Sequence, residues 1–355
     1  MKLSDLEFSI PEDYIALRPK KPRDMSNLVE VKNNFKIFKF RDLINLINPG
    51  DCLVFNNTKV IPCLLKGTSS GKKIEITLNK QISADPTIKW TALCKPLKKV
   101  KVNDQILFSK NFFCNVIKIV RENNQAFLIL EFEVTKEDFL KHIKKNGSLA
   151  LPPYITKKRN LLLTDKADYQ PVFSKFEGAV ASPTASLHFS ENLIKKLEKK
   201  GVITVYITLH VNGATFLPIR EKSVCNHKMH YEFGKISEDS ARKMNDVRKK
   251  GNKLIAVGTT VVRLLESAKT KVGKIKSYEG DTNIFIKPGW VVNTIDGLIT
   301  NFHTPRSTLL LLIYSLIGEK KTKDLYNFAI KQKLRFFSYG DACLIWLKNE
   351  KKEKV

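Results

Sequence analysis

Five of the six histidines in this chain, His188, His210, His227, His230 and His303, fall in one stretch that also holds Arg220, Glu232, Arg263, Glu266, Asn301 and Arg306. Imidazoles exchange protons near neutral pH, carboxylates act as bases, and guanidinium groups grip carboxylates and phosphates through two parallel bonds. The mixture suits a polar acid–base site. A metal centre fits less well. His227-Lys-Met-His230-Tyr-Glu232 lacks the H-E-x-x-H spacing that sets two ligands on one helix face with a base between them. A lone core histidine is usually structural, but His210 closes the strand-like run 202–211 and His303 follows the run 294–302. Parallel sheets collect their sites at such strand ends.

Gly258-Thr259-Thr260-Val-Val-Arg263-Leu-Leu-Glu266 reads as strand, turn and helix, and the free N–H groups of such a helix start favour an anion or carboxylate. Arg263 and Glu266, three apart on that helix, also have the spacing of a simple surface pair. No G-x-S-x-G, P-loop or G-x-G-x-x-G occurs, which removes the usual support for hydrolase, nucleotide triphosphatase and dehydrogenase chemistry.

Positioning these residues takes a scaffold, and two patterns supply it. From 53 to 134, β-rich runs recur at 73–78, 89–94, 105–108, 113–120 and 126–134, separated by turn formers at Gly71, Asp85-Pro86, Asn103-Asp104 and Asn123-Asn124. Strands so spaced, with no helix between them, predict a small barrel. Beyond Leu151-Pro-Pro-Tyr154 strand and helix alternate. Ser190 caps a helix with Leu193, Ile194 and Leu197 inward, and a second helix over 237–250 buries Ala241, Met244 and Val247. The strand 253–257 then feeds the helix opened by Gly258. Alternation of this kind means a parallel α/β layer. The expected fold class is α/β, with a main α/β domain (1–60 and 150–355) interrupted by an inserted β-barrel (61–149). Residues 1–50, broken by Pro11, Pro19 and Pro22, promise no long element.

The net charge of +27, from 62 Lys and Arg against 35 Asp and Glu, points to a polyanionic partner such as nucleic acid. Six scattered cysteines without a C-x-x-C pair read as buried small hydrophobes in a reducing compartment. The longest apolar run, 309–317, is a buried helix, well short of the roughly 20 residues of a bilayer span. No signal peptide is read at the N-terminus, and a cytoplasmic monomer is expected.

Several strings resemble the S-adenosylmethionine:tRNA ribosyltransferase-isomerases. They include Pro22-Arg-Asp, Gly50-Asp-Cys-Leu-Val-Phe-Asn-Asn-Thr-Lys-Val-Ile-Pro62, Leu151-Pro-Pro-Tyr154 and Gly178-Ala-Val-Ala-Ser-Pro-Thr-Ala-Ser-Leu-His188-Phe. Further along are Leu209-His-Val, Met229-His-Tyr-Glu232, Ala256-Val-Gly-Thr-Thr-Val-Val-Arg263-Leu-Leu-Glu266-Ser, Thr300-Asn-Phe-His303-Thr-Pro-Arg306-Ser-Thr and Arg335-Phe-Phe-Ser-Tyr339-Gly-Asp341-Ala. The strings run in order along nearly the whole chain. Departures stand at Asn57, Ser182, Ser186, Asn212 and Leu217, where the family commonly has Asp, a different small residue, Gly, Gly and Arg.

The resemblance implies transfer of the ribosyl moiety of S-adenosylmethionine to 7-aminomethyl-7-deazaguanine at the tRNA wobble position, with loss of adenine and methionine and formation of epoxyqueuosine-tRNA. It implies S-adenosylmethionine as a consumed substrate, with no separate cofactor and no metal. The matched strings make His188, His210, His230 and His303 the candidates for proton transfer, with Glu232 and Asp341 as carboxylates. Arg220, Thr259, Thr260, Arg263, Glu266, Asn301, Arg306, Arg335 and Tyr339 are the candidates for substrate binding. A tRNA-binding protein that keeps the fold without catalysis is the competing class. A conventional methyltransferase lacks its glycine-rich loop here.

Overall fold

The computed structural model describes residues 3–122, 125–213, 219, 224, 227 and 229–347. The expected turn at Asn123-Asn124, the Ala214–Pro218 departure segment, Arg220 and Cys225 lie outside them.

A nine-stranded sheet forms the centre, in the order Tyr278–Thr282, Glu232–Ile236, Ile203–Leu209, Cys52–Asn56, Leu254–Val257, Gly297–Asn301, Ala342–Trp346, Asn27–Val31, Phe35–Lys39. The four strands from Ile203–Leu209 to Gly297–Asn301 are parallel, with Ile203 and Leu254 both opposite Cys52 and Ile255 opposite Gly297. Cys52–Asn56 and Leu254–Val257 are buried at every position, as parallel strands covered on both faces must be. Alternate residues serve the two faces. Leu53, Phe55, Ile255 and Val257 pack with Leu193, Ile194 and Leu197 of the helix Glu191–Lys199. Val54 and Ala256 pack with Met244 and Val247 of the helix Glu238–Lys249 and with Leu264 and Leu265 of the helix Thr259–Ser267. Ser190, Ser237 and Ser307 cap their helices by accepting N–H bonds.

Between Cys52–Asn56 and its neighbour Ile203–Leu209 the chain builds a closed barrel. Leu64–Ser69, Lys72–Ser83, Ile88–Lys95, Gln125–Phe132, Phe112–Glu122 and Gln105–Ser109 pair in turn, and Thr68 opposite Leu107 shuts the ring. Phe112, Phe132 and Trp90 fill it, and the helix Lys136–Asn146 buries Phe139 and Ile143 against them. This is the expected fold class, an α/β layer carrying an inserted barrel. Cys52, Cys63, Cys94, Cys114 and Cys343 are free and buried.

The sequence pattern did not foresee the order of the sheet. Asn27–Val31, read as part of an irregular region, pairs in parallel with Ala342–Trp346 across more than 300 residues of sequence. Strands of five residues carry little local signal, and their place is decided by distant partners. The outcome gathers one edge of the sheet. Asn56, Leu209, Val257 and Asn301 end their strands there, while Asn27 and Ala342 begin theirs.

Candidate active site

At that edge lies a cavity of about 120 Å³. Its walls come from separated segments: Pro152–Tyr154, Ala181–Ala185, the Gly258–Thr260 turn with Arg263, Thr300–Thr304 and Phe337–Ser338. Gly258, at φ +97°, makes the turn that puts Thr259 and Thr260 at the helix start. Thr260 Oγ1 accepts from Asn56 Nδ2 at 3.4 Å, which ties the turn to the neighbouring strand end.

Arg263 is buried at 3% exposure and forms an ion pair with Glu232, itself 2% exposed. Glu232 begins the strand Glu232–Ile236, and its other oxygen accepts the Asn212 N–H at 3.0 Å. Arg263 Nε donates to the Ile284 carbonyl at 3.4 Å, and Nη2 has no partner among the described residues. A buried donor left unmade costs on the order of 1–3 kcal/mol, so such an atom calls for a ligand. Two hydroxyls in the same cavity are alike: Ser182 Oγ and Tyr169 Oη are buried without a well-formed hydrogen bond.

Glu266 does not pair with Arg263, contrary to the surface-pair expectation. It accepts from Lys269 Nζ at 2.5 Å, Trp290 Nε1 at 2.8 Å, Thr294 Oγ1 at 2.7 Å and the backbone N–H groups of Asn293 and Thr294. It clamps the segment 290–294 and does not line the cavity.

His303 lines the cavity. Its Nε2 lies 2.9 Å from Thr300 Oγ1 and its backbone N–H donates to Tyr326 Oη at 2.8 Å. Burial lowers its pKa to about 3, so the ring is neutral, and Nδ1 has no hydrogen bond among the described residues. His188 sits one layer behind. Asn301 Nδ2 donates to its Nε2 at 3.0 Å, Ser26 Oγ is 2.7 Å from its Nδ1, and Phe40 stacks on it at 4.9 Å. Burial, then Arg335 and Arg23, lower its pKa to about 3. With both nitrogens engaged, His188 orients Asn301, whose Oδ1 receives Thr184 Oγ1 at 2.9 Å on the cavity wall.

Other expected residues stand elsewhere. His210 turns to a second cleft, with Nδ1 2.7 Å from Thr58 Oγ1 and a pKa lowered to about 4 by burial and then by Lys136. His230 packs edge-on to Phe127 of the barrel and His227 to Phe285, so the two imidazoles of the H-x-x-H string meet different rings. Among the described residues no three His, Cys, Asp or Glu side chains gather as a metal site. Asp341, fully buried, accepts from the Asn27 and Arg335 backbone N–H groups at 2.7 and 2.8 Å and from Asn27 Nδ2 at 3.2 Å. It braces two strand starts rather than facing the cavity. Arg335 donates to the Arg18 carbonyl, and Tyr339 packs against Tyr169 at 6.0 Å. Arg306, at φ +52°, is half exposed and pairs with Glu7.

Sequence reasoning missed Tyr169 and Ser182 as cavity donors. Ser182 lay inside a matched string, but only burial without a partner distinguishes it. Tyr169 carried no signal at all.

A family model described as queuosine biosynthesis protein matches residues 3–345. The S-adenosylmethionine:tRNA ribosyltransferase-isomerase of Roseobacter denitrificans is 43% identical over 354 residues, covering 97% of this chain and 99% of its own. That of Acetivibrio thermocellus is 42% identical over 351 residues, covering 97% and 100%. The crystal structure of the S-adenosylmethionine tRNA ribosyltransferase from Thermotoga maritima, 30% identical, covers 96% of this chain and 99% of its own with a TM-score of 0.54. The agreement spans both the barrel and the sheet edge that carries Arg263 and His303, and this chain belongs to the S-adenosylmethionine:tRNA ribosyltransferase-isomerase family of queuosine biosynthesis proteins.

Proposed function

We propose that the chain transfers and isomerises the ribosyl moiety of S-adenosylmethionine onto 7-aminomethyl-7-deazaguanine at the tRNA wobble position, leaving epoxyqueuosine-tRNA and releasing adenine and methionine. The observation that carries this to particular residues is the unpartnered Nη2 of Arg263 in the sheet-edge cavity. Glu232 fixes the guanidinium, and the free nitrogen, with Ser182 Oγ and Tyr169 Oη, offers donors to the methionyl carboxylate.

The sulfonium acidifies the adjacent C5′ protons. Removal of one opens the ribose and expels adenine; the aminomethyl nitrogen then attacks, and methionine leaves as the epoxide closes. His303 is the base assigned to the first step. Burial keeps its ring neutral, and with Thr300 Oγ1 beside Nε2 the Nδ1 nitrogen is the one left to take the proton. The half-buried Tyr154 ring against Phe337 at 4.9 Å walls the cavity and excludes water from the intermediate. The enzyme is taken to act as a cytoplasmic monomer, without metal or cofactor. No helix among the described residues is long and apolar enough to cross a membrane.

The test is to incubate the protein with S-adenosylmethionine and tRNA bearing the deazaguanine precursor. Adenine and methionine are expected in equal amounts with the modified tRNA. Modified tRNA without free adenine would sink the reading.

A further inference from the structure

Beside the active-site cavity lies a second and larger cleft, of about 540 Å³. Its walls come from both parts of the molecule. The barrel contributes Asn79–Ala84 and Lys136, and the sheet contributes His210, Phe233 and Asp281. Val180 and Ala181 donate their N–H groups to the Val211 carbonyl, at 2.8 and 3.2 Å, beside both cavities. Along 210–212 the residues alternate: Val211 lines the first cavity, while His210 and Asn212 line the second.

Three observations mark it as a built site. The barrel strand Lys72–Ser83 breaks register twice, between Leu78 and Lys80 and between Gln81 and Ser83, at the residues that form the rim. Such bulges re-aim side chains beside functional sites. Here Asn79 Oδ1 accepts the Gly213 N–H at 3.0 Å, and Lys80 reaches Asp281 at 2.6 Å. Second, His210 and Phe233 lie nearly parallel, 5.9 Å apart with an interplanar angle of 21°, as an aromatic wall. Gly178, at φ +154°, keeps that wall uncovered, since a Cβ there would lie 2.8 Å from His210 Cε1 and Nε2. Third, the rim keeps one lysine without an acidic partner. Lys80 pairs with Asp281, Glu177 is held at 3.3 and 2.9 Å by Lys59 and Lys144 from outside the lining, and Lys136 stands exposed at the first turn of its helix without an ion pair among the described residues.

We propose that this cleft holds an unstacked nucleotide of the RNA substrate beside the acceptor base, with the base against Phe233 and His210 and its phosphate near Lys136. Aromatic faces take any base, amides such as Gln81 read its edge, and lysines hold the backbone. The barrel is thereby an RNA-binding part of the active site. The proposal rests on the tRNA reading above.

The experiment measures binding without turnover. An anticodon stem-loop carrying 2-aminopurine next to the acceptor position is titrated with the full-length protein and with Phe233→Ala and Lys136→Ala. Wild-type binding is expected to change the 2-aminopurine fluorescence. Phe233→Ala should weaken binding about tenfold and suppress that change. Lys136→Ala, on an exposed helix start where folding is not at risk, should weaken binding severalfold and lower the salt slope by about one. In turnover, both variants should raise KM for tRNA and leave KM for S-adenosylmethionine within about twofold. Unchanged RNA affinity in both variants, or KM values for the two substrates rising together, would overturn the nucleotide site. Wild-type protein that binds the stem-loop but releases no adenine would overturn the assigned reaction and leave the cleft's role standing.

Discussion

Glu232 holds Arg263 by one side of its guanidinium in a nearly dry interior, and the other side keeps a nitrogen without a partner among the described residues. A buried ion pair is weak evidence of stability by itself, because desolvation offsets the attraction. Its value here is positional. The strand start at Glu232, also fixed by the Asn212 N–H, sets the plane of a fork that can meet a carboxylate.

Arg263→Lys therefore tests geometry rather than charge. Loss of a planar fork should raise KM for S-adenosylmethionine roughly ten- to a hundredfold, about 1.5–3 kcal/mol. Glu232→Ala should instead lower stability, by about 3–5 kcal/mol, since it leaves a buried cation unpaired. Steady-state kinetics and urea unfolding separate the two effects. Near-wild-type KM in both Arg263→Lys and Arg263→Ala would remove Arg263 from the substrate.

Ser182 and Ser186 form a matched pair of tests, because both hydroxyls are buried and unpartnered but only Ser182 lines the cavity. Each Ser→Ala change removes an unsatisfied group and should stabilise the fold by about 1 kcal/mol. Ser182→Ala alone should raise KM for S-adenosylmethionine, roughly five- to tenfold. Thermal melts beside kinetics give the answer. Equal KM values in the two variants would leave Ser182 without a ligand role.

Stability should fall as the solution is acidified below the ordinary histidine pKa. His188 and His303 are pushed down to about 3 and His210 to about 4, so between those values and 6.5 the unfolded chain binds protons that the fold refuses. The stabilisation is complete above 6.5 and drains as pH drops toward the folded values, at about 1.4 kcal/mol per pH unit for each imidazole. His188→Asn should flatten the slope of unfolding free energy against pH by about one proton over that window. A variant slope equal to the wild-type slope would mean that His188 is not held neutral.

Turnover should survive chelation. His227 and His230 pack on Phe285 and Phe127, and among the described residues no group of three His, Cys, Asp or Glu side chains gathers to hold an ion. Adenine release measured after dialysis against a chelator is expected to be unchanged. Activity lost there and restored by added zinc would return the H-x-x-H string to the active site.

Much of this was legible in the sequence, and the limits have physical causes. Helix starts at Ser190 and Ser237 follow local rules, as does the barrel's alternation. The Gly258–Arg263 turn was equally plain, because glycine, capping and periodicity act over a few residues. The partners of each polar group act over the whole chain. Glu266 looked like a partner for Arg263 at i, i+3 but instead serves Trp290 and Thr294, and Asp341 looked catalytic but braces Asn27. His188 matched a site string yet has both nitrogens committed to neighbours. The pattern shows which residue types are gathered, while burial and pairing show which atoms remain free.

The pairing of Asn27–Val31 with Ala342–Trp346 has a consequence for how the molecule is made. The barrel's strands are close in sequence and can pair while synthesis continues, since contacts of short separation form early. The sheet edge cannot close until Trp346 has left the ribosome, because Ala342 is the partner of both Leu28 and Asn301. Asp341 then ties the last strand to the first. A growing chain thus carries a finished barrel well before it has an active site, and a truncated product would lack the floor on which Asn301 and His303 stand.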